Sequence, residues 1–159
     1  MAVVVWLREG TWPACADAAR DQLPADGRTV LLHVTDPETA ETARAAGAGL
    51  LGRAAPAGLD PAARIDRLAA DLSRELLDAA AARLGRPCER RSVTGRPERT
   101  VTDAAAEADL LVCARDGDRS RPGPHSLAPA TRFVVDHAPC PVLLVWPDAP
   151  AGPPRGPGG

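Results

Sequence analysis

The sequence contains no lysine and no tyrosine, and its aromatic residues are one phenylalanine and three tryptophans among 159 residues. All 19 basic residues are arginines, which excludes catalysis through a lysine Schiff base and phosphate binding by a P-loop lysine. So few aromatic side chains argue against base-stacking platforms for nucleic acid. Because the formal net charge is −2, no basic field is available to bind nucleic acid. The sequence contains no run of 18 apolar residues, so we predict no membrane-spanning helix.

The four cysteines form no CxxC pair and have no metal-ligand spacing with the three histidines; they are Cys15, Cys88, Cys113 and Cys140. We therefore expect free thiols, a reducing cytoplasmic compartment and no metal site. Cys113 and Cys140 lie in predicted strand regions, where we expect small buried apolar side chains rather than reactive thiols. Residues 1–7 are apolar but short, with no basic residues before them, and predict a buried strand rather than a signal peptide.

Five short apolar segments alternate with segments of helical periodicity. The predicted strands cover residues 3–7, 29–34, 88–93, 110–113 and 141–146. The predicted helices cover residues 12–23, 38–46, 61–84, 98–108 and 127–137. Strands that are apolar on both faces and alternate with helices indicate a parallel sheet covered on two sides. We predict a single doubly wound α/β domain over residues 1–147, followed by a disordered Pro/Gly-rich tail at 148–159.

Local signals mark the starts of two helices. Thr11 stands where it would cap the first helix, and Asp60 followed by Pro61 marks the start of the longest one. In that long helix, apolar residues at steps of three and four predict a stripe that faces the core, made of Ile65, Leu68, Leu72, Leu76 and then Ala79 or Ala80. The Gly- and Pro-containing segment 47–58 before it predicts a loop.

A ligand site in such a sheet lies beyond the carboxyl ends of the strands. The segments that fall there are 8–11, 34–36, 95–97 and 114–126. The last one combines glycines, three arginines and a following helix start, which together suit a phosphate. The alternative is a solvated loop whose arginines pair with Asp116 and Asp118. A metal site would need Glu9, Asp36 and Asp116 to converge, and nothing else in the sequence supports one.

The three histidines give no catalytic pattern. His137 falls at a predicted helix C-terminus, where the helix dipole favours it, and His33 ends a buried strand, so both are interpreted as structural. His125 lies in the arginine-rich loop and is the histidine expected near a ligand. No GxSxG motif is present, and we predict no catalytic residue.

Several segments resemble the universal stress protein family over about residues 2–146. The resemblance rests on Gly95-Arg96-Pro97, on Ala108-Asp109-Leu110-Leu111-Val112, on the run Asp136 to Val145, which contains His-Ala-Pro-Cys-Pro-Val-Leu, and on His33-Val34-Thr35-Asp36-Pro37. It implies an α/β fold with strand order 3-2-1-4-5, an adenine-nucleotide pocket in one branch of the family, and a homodimer through the last strand. In this chain the dimer edge would be Val142, Leu143, Leu144, Val145 and Trp146; the alternative is that Pro147 and the tail shield this edge.

The chain departs from the pattern of the ATP-binding branch, which has Asp-Gly-Ser after the first strand and Gly-x-x-Gly-x9-Gly-Ser/Thr after the fourth. Glu9-Gly10-Thr11 stands at the first place, and Ala114 replaces the first glycine of the second pattern, whereas Gly117 retains the next. The closing Gly-Ser falls on residues 127–129, which supply neither a glycine nor a hydroxyl, and a proline there removes a backbone N–H.

Two functional hypotheses follow. The first is a stress-response regulatory module, dimeric and acting through binding, including a possible protein partner, rather than through catalysis or standard ATP binding. The second is an adenine-nucleotide-binding module with Mg²⁺ and at most slow hydrolysis. By its resemblance, the second would use Glu9 and Gly10 near the ribose or metal, with Thr11 as a further candidate nucleotide-binding residue, and Val34 against adenine. Gly117 would lie near the phosphates by the same resemblance, whereas Arg115 and Ser126 are placed there from their chemistry alone.

Overall fold

The computed structural model describes residues 1–39, 41, 42, 45, 60–118, 120 and 124–147. Its strands are β1 (Ala2–Leu7), β2 (Arg28–Thr35), β3 (Glu89–Thr94), β4 (Leu110–Ala114) and β5 (Val142–Val145). Its helices are α1 (Trp12–Gln22), α2 (Pro61–Leu84), α3 (Pro97–Ala105) and α4 (Pro129–His137), with a 3₁₀ turn at Pro124–Ser126. Each predicted element within these residues is present, with ends that shift by at most three residues.

The five strands form one parallel sheet in the order β3-β2-β1-β4-β5, which confirms the predicted fold class. The central strand β1 pairs with β2 on one side, with Val5 opposite Leu31, and with β4 on the other, with Val5 opposite Val112. Strand β3, the most polar of the five, is an edge strand, as is β5. The order reverses at β1 and β4, so the carboxyl ends of these strands border the place where ligands bind in such sheets.

Alternate residues of β1 face opposite layers of helix, which makes the domain doubly wound as predicted. Val3, Val5 and Leu7 share one buried cluster with side chains of α1 and α2. Val4 and Trp6 share the other with side chains of α3 and α4. The sheet is therefore apolar on both faces because helices cover both faces.

Helix α2 buries only the C-terminal part of the predicted stripe, where Leu76 packs against the core and Ala80 is fully buried. Its fully buried side chains are Ser73, Leu77, Ala80, Ala81 and Leu84, whereas Leu68 and Leu72 are 59% and 49% exposed. A helix of 24 residues is about 36 Å long, whereas a six-residue strand spans about 20 Å. Only the C-terminal half of α2 therefore packs on the sheet, and its N-terminal half extends past the strand ends, where it leaves Leu68 and Leu72 open.

The ends of the helices match their local signals in part. The side chain of Asp60 accepts a hydrogen bond from the N–H of Ala62 at 3.2 Å, and Gly85 ends α2 in the left-handed conformation at φ +68°. Thr11 occupies the N-cap position of α1, but its side chain makes no capping hydrogen bond. Residues 37–39, 41, 42 and 45 are helical, while the rest of the predicted helix 38–46, the loop at 47–58 and the tail at 148–159 lie outside the described residues.

All four cysteines are free thiols. Burial raises the pKa of both Cys15 and Cys113 to about 12, so these two thiols stay protonated and inert near neutral pH.

Among the described residues, no helix is both long enough and apolar enough to cross a membrane.

Candidate functional site

A cleft of about 460 Å³ opens at the carboxyl ends of β1 and β2. We call it the strand-end cleft, and its lining residues are Trp6, Leu7, Arg8, Glu9, His33, Val34, Thr35, Asp36, Thr39, Ile65, Ala69, Leu72, Ser73 and Pro97. The N-terminal half of α2, which extends past the strand ends, forms one wall of the cleft. Ile65 and Leu72, which are not buried in the core, line this wall. A volume of this size suits a ligand of about nucleoside dimensions.

The strand-end cleft combines apolar walls with a few charged groups. Arg8 and Glu9 follow β1, and Asp36 follows β2. The guanidinium of Arg8 lies over the ring of Trp6, 5.3 Å from its centroid. One oxygen of Asp36 accepts a hydrogen bond from the backbone N–H of Glu38 at 2.9 Å. Such a mixture of apolar surface and few polar groups is typical of small-molecule sites.

A chain of hydrogen bonds leads from the cleft into the protein. The Nδ1 atom of His33 lies 2.7 Å from the hydroxyl of Ser73, which lies 2.7 Å from the hydroxyl of Ser92. Burial lowers the pKa of His33; the carboxylate of Glu9 opposes this lowering, and the guanidinium of Arg8 adds to it. His33 is therefore uncharged near neutral pH, and among the described residues that line the cleft the side chains of Arg8, Glu9 and Asp36 carry charge there.

We expect the protein to lose stability between pH 7.5 and pH 5.5 because of His33. Its folded pKa lies below the unfolded value of 6.5, so the unfolded chain takes up the proton first as the pH falls. The contribution of His33 to the free energy of unfolding is therefore complete above pH 6.5. Below that pH it decreases by at most about 1.4 kcal/mol per pH unit, which is the limit for one titrating group.

Urea unfolding at both pH values measures this loss. The variant His33→Asn keeps a polar atom near Ser73 but does not titrate, so its stability should change less across the same interval. Equal pH dependence of the two proteins would contradict the assignment to His33.

Asp116 forms the most connected polar contact beside the cleft. Its carboxylate makes an ion pair with the Nη1 atom of Arg8 and accepts hydrogen bonds from the hydroxyl of Thr131 at 2.7 Å and from the backbone N–H of Ala128 at 3.0 Å. Only 9% of the Asp116 side chain is exposed, against 38% for Arg8. Arg8 also lies 3.3 Å from the Thr131 hydroxyl. We call these four residues the Asp116 cluster.

The Asp116 cluster gives Asp116 an ionic partner outside the arginine-rich loop. Asp116 pairs with Arg8 after β1, while Asp118 accepts hydrogen bonds from Ser120. A carboxylate that is nearly out of water is stabilised by such a fixed ionic partner.

Gly117 holds the two ends of this loop together. Its N–H donates to the carbonyl of Ser126 at 3.1 Å. A methyl group at Gly117 would overlap the backbone of His125 and Ser126 and would lie 2.6 Å from the nitrogen of Leu127. The glycine therefore allows a close backbone approach, and its N–H is already bonded within the protein.

The substitution Gly117→Ala should lower the free energy of unfolding by about 1–3 kcal/mol, because backbone rather than a movable side chain must give way. Gly95→Ala is the matched control, since its new methyl group would meet only the rotatable hydroxyl of Thr100 at 2.7 Å. Urea unfolding of both variants compares them, and a Gly117→Ala loss no larger than that of Gly95→Ala would contradict this role.

The structure brings some of the candidate ligand residues together and separates others. Glu9 and Val34 line the strand-end cleft. Gly10 lies in the turn after β1 with φ +81°, and Thr11 begins α1. The guanidinium of Arg115 lies 4.8 Å from the ring centroid of Trp146, beside the dimer edge. Ser126 and the exposed His125 form part of the 3₁₀ turn.

Sequence reasoning missed Arg8 and Ser73 as site residues and did not find the partner of Asp116. Arg8 lies within segment 8–11, which was predicted to lie beyond the strand ends. This position was the one signal in the sequence that could have identified Arg8 as a site residue. Ser73 interrupts the apolar periodicity of α2 at a position that the structure buries. A buried serine on a core-facing stripe calls for a polar partner, which here is His33.

Glu9, Asp36 and Asp116, the carboxylates considered for a metal, do not converge on a metal-ion site. Of the carboxylates considered for a metal, Asp116 is engaged by Arg8. Within the described ranges, no group of three histidine, cysteine or acidic residues is placed to hold a metal ion.

Strand β5 forms an open edge of the sheet. The residues of the candidate dimer edge are half-buried, except for Trp146, which is 60% exposed.

His137 and Phe133 stack with ring centroids 4.1 Å apart on α4, which agrees with a structural role for His137.

Comparisons with known proteins agree with the fold. The sequence pattern of the universal stress protein family matches residues 3–145. A search of curated proteins found no match.

Three solved structures illustrate the likeness. A universal stress protein family protein from Arabidopsis thaliana with AMP bound is 20% identical, with a TM-score of 0.57 and coverage of 98% of this chain and 97% of its own. A universal stress protein in complex with cAMP is 20% identical, with a TM-score of 0.56 and coverage of 93% and 98%. The universal stress protein UspA from Lactobacillus plantarum is 21% identical, with a TM-score of 0.54 and coverage of 91% and 97%. At these identities the structures establish the shared fold, and with the match over residues 3–145 the chain belongs to the universal stress protein family.

Proposed function

We propose that this protein is a regulatory module of the stress response that acts by binding rather than by catalysis and does not bind ATP in the standard way. It works as a cytoplasmic homodimer joined through β5, with a protein partner as the receiver of its signal. Membership of the universal stress protein family and the strand-end cleft of about 460 Å³ support a binding role.

The observation that carries this proposal is that backbone N–H groups between β4 and α4 already donate hydrogen bonds within the protein. The N–H of Gly117 is bonded to Ser126, and the N–H of Ala128 is bonded to Asp116. Pro129 has no N–H. A phosphate group bound by backbone at a helix start needs free N–H groups, and these positions supply none.

The thermal midpoint with and without millimolar MgATP tests the proposal. A ligand at about 100 times its dissociation constant stabilises a protein by roughly 2.7 kcal/mol, which corresponds to a rise of about 5 °C or more for a domain of this size. We expect no rise beyond that caused by MgCl₂ and sodium chloride at matched ionic strength. A saturable rise with MgATP would contradict the proposal.

A second candidate function is adenine-nucleotide binding. It is favoured by the strand-end cleft, which Glu9 and Val34 line as the resemblance implies. Two structural neighbours of this fold have AMP or cAMP bound. The same thermal experiment separates the candidates, because this function requires a response to the nucleotide and the first does not.

The homodimer is proposed from the open edge of the sheet. Among the described residues, strand β5 pairs with β4 on one side and with no strand on the other. An exposed apolar edge is normally covered, and a second copy of the chain would cover it through the same residues on both sides.

A further inference from the structure

We propose that Asp116 is the residue that keeps phosphate out of this protein. Its carboxylate acts as an internal anion in an anion-binding position made of Arg8, Thr131 and the N–H of Ala128, so that the neighbouring cleft takes a ligand without phosphate, of nucleoside size. The inference rests on the proposed binding function and names its ligand class.

The chemistry of the donors is that of an anion site. A guanidinium, a hydroxyl and a backbone N–H converge on the two carboxylate oxygens of Asp116 from two separate segments of the chain. The position lies at the start of α4, where the helix dipole favours negative charge. Arginine, hydroxyl and backbone donors at a helix start are also the groups that bind phosphate.

The carboxylate of Asp116 already occupies the anion-binding position. The side chain of Asp116 is more than nine-tenths buried, and Thr131 is 0% exposed. An external phosphate would have to displace a carboxylate that is already bonded to all three donors. The internal anion is present at a high effective concentration because it belongs to the same chain, whereas a free anion loses translational freedom on binding.

The charge of the cleft leads to the same conclusion. Arg8 is the residue shared by the strand-end cleft and the Asp116 cluster, and its charge is balanced by Asp116. The other charged residues among the described lining are Glu9 and Asp36, and His33 is uncharged near neutral pH because its pKa is lowered. Negative charge therefore exceeds positive charge among the described lining residues, which disfavours a phosphate but suits the hydroxyl and amino donors of a nucleoside.

The variant Asp116→Ala tests the inference, with inorganic phosphate as the probe. Removal of the carboxylate leaves its three donors without their acceptor, so the variant should unfold at a lower temperature than the wild type. Added phosphate should raise its thermal midpoint in a saturable way, with an affinity about tenfold or more above that of the wild type. Sodium chloride at matched ionic strength should not do so.

Two further variants fix the site of this response. Asp118→Ala removes an exposed carboxylate from the same loop and should behave like the wild type toward phosphate. The double variant Asp116→Ala/Arg8→Gln should lose the response, because it lacks the cationic donor. If Asp116→Ala does not fold, Asp116→Asn removes the charge with less change in shape and takes its place.

Ligand preference gives a second readout. By titration calorimetry, Asp116→Ala should raise the affinity for AMP relative to adenosine by about tenfold or more over the wild type. The inference is overturned if the variant gains affinity for neither phosphate nor AMP, or if the wild type binds phosphate as well as the variant does. A wild type that responds to MgATP overturns the proposed function, whereas a silent wild type with a silent variant overturns only the role of Asp116.

Discussion

Replacing Arg8 by methionine is expected to lower the free energy of unfolding by about 3 kcal/mol at pH 7. The substitution keeps a long apolar side chain over Trp6 but removes the guanidinium that pairs with Asp116. The Asp116 carboxylate, with 9% exposure, would then keep its charge without an ionic partner. Breaking a buried ion pair in this way costs about 3–5 kcal/mol, and the partial exposure of Arg8 places this case at the lower end.

Two other variants separate lost charge from lost packing. Arg115→Met makes the same chemical change in the arginine that lies over the exposed Trp146, and its effect should stay below about 1 kcal/mol. The double variant Arg8→Met/Asp116→Asn removes both charges and should recover much of the loss. Chemical denaturation measures all of them, and an Arg8→Met protein within about 0.5 kcal/mol of the wild type would show that the pair contributes little.

Replacing Leu144 by proline should weaken the homodimer about a hundredfold or more. The carbonyls of Pro141 and Val145 accept hydrogen bonds at 2.9 Å from the N–H groups of Leu111 in β4 and of Arg115 directly after it. Because backbone groups alternate in direction along a strand, the N–H of Leu144 points away from β4, toward the open edge. Proline removes that N–H without breaking the ladder within the protomer. A symmetric interface loses the bond twice, at about 1–3 kcal/mol each.

Leu144→Ala is the matched control because it loses the same packing but keeps the N–H. It should remain dimeric at concentrations at which Leu144→Pro is monomeric. Phe133→Ala, which removes an exposed ring from α4, should not affect association. Sedimentation equilibrium at micromolar concentration measures the mass, and a monomeric wild type or a dimeric Leu144→Pro would contradict the proposed edge.

The fold was predictable because its signals are local and repeated. Apolar runs such as Val3–Leu7 require burial on both faces, and the alternation with helices leaves a parallel sheet as the solution. The strand order came from the resemblance, which rests mainly on the carboxyl half of the chain. The stripe of α2 was not predictable from periodicity alone, because Leu68 and Leu72 recur at helical spacing just as the buried Leu77 and Leu84 do.

The site was less predictable because its contacts are remote in sequence. Arg8 and Asp116 are 108 positions apart, and His33 and Ser73 are 40 apart. Composition could suggest that Asp116 pairs with an arginine, but only the packing of β1 against β4 selects Arg8. The loss of the family pattern at residues 127–129 was visible in the sequence. The carboxylate bonded to the N–H of Ala128 was not.

The nucleotide content of the purified protein tests the central claim most directly. The protein is freed of loosely bound small molecules, denatured, and its supernatant is analysed by chromatography and mass spectrometry against a standard of known protein concentration. With the Asp116 carboxylate in the anion position, we predict no phosphorylated adenine nucleotide above a few per cent of the protein. Release of ATP, ADP or AMP in an amount close to one per chain would contradict the account.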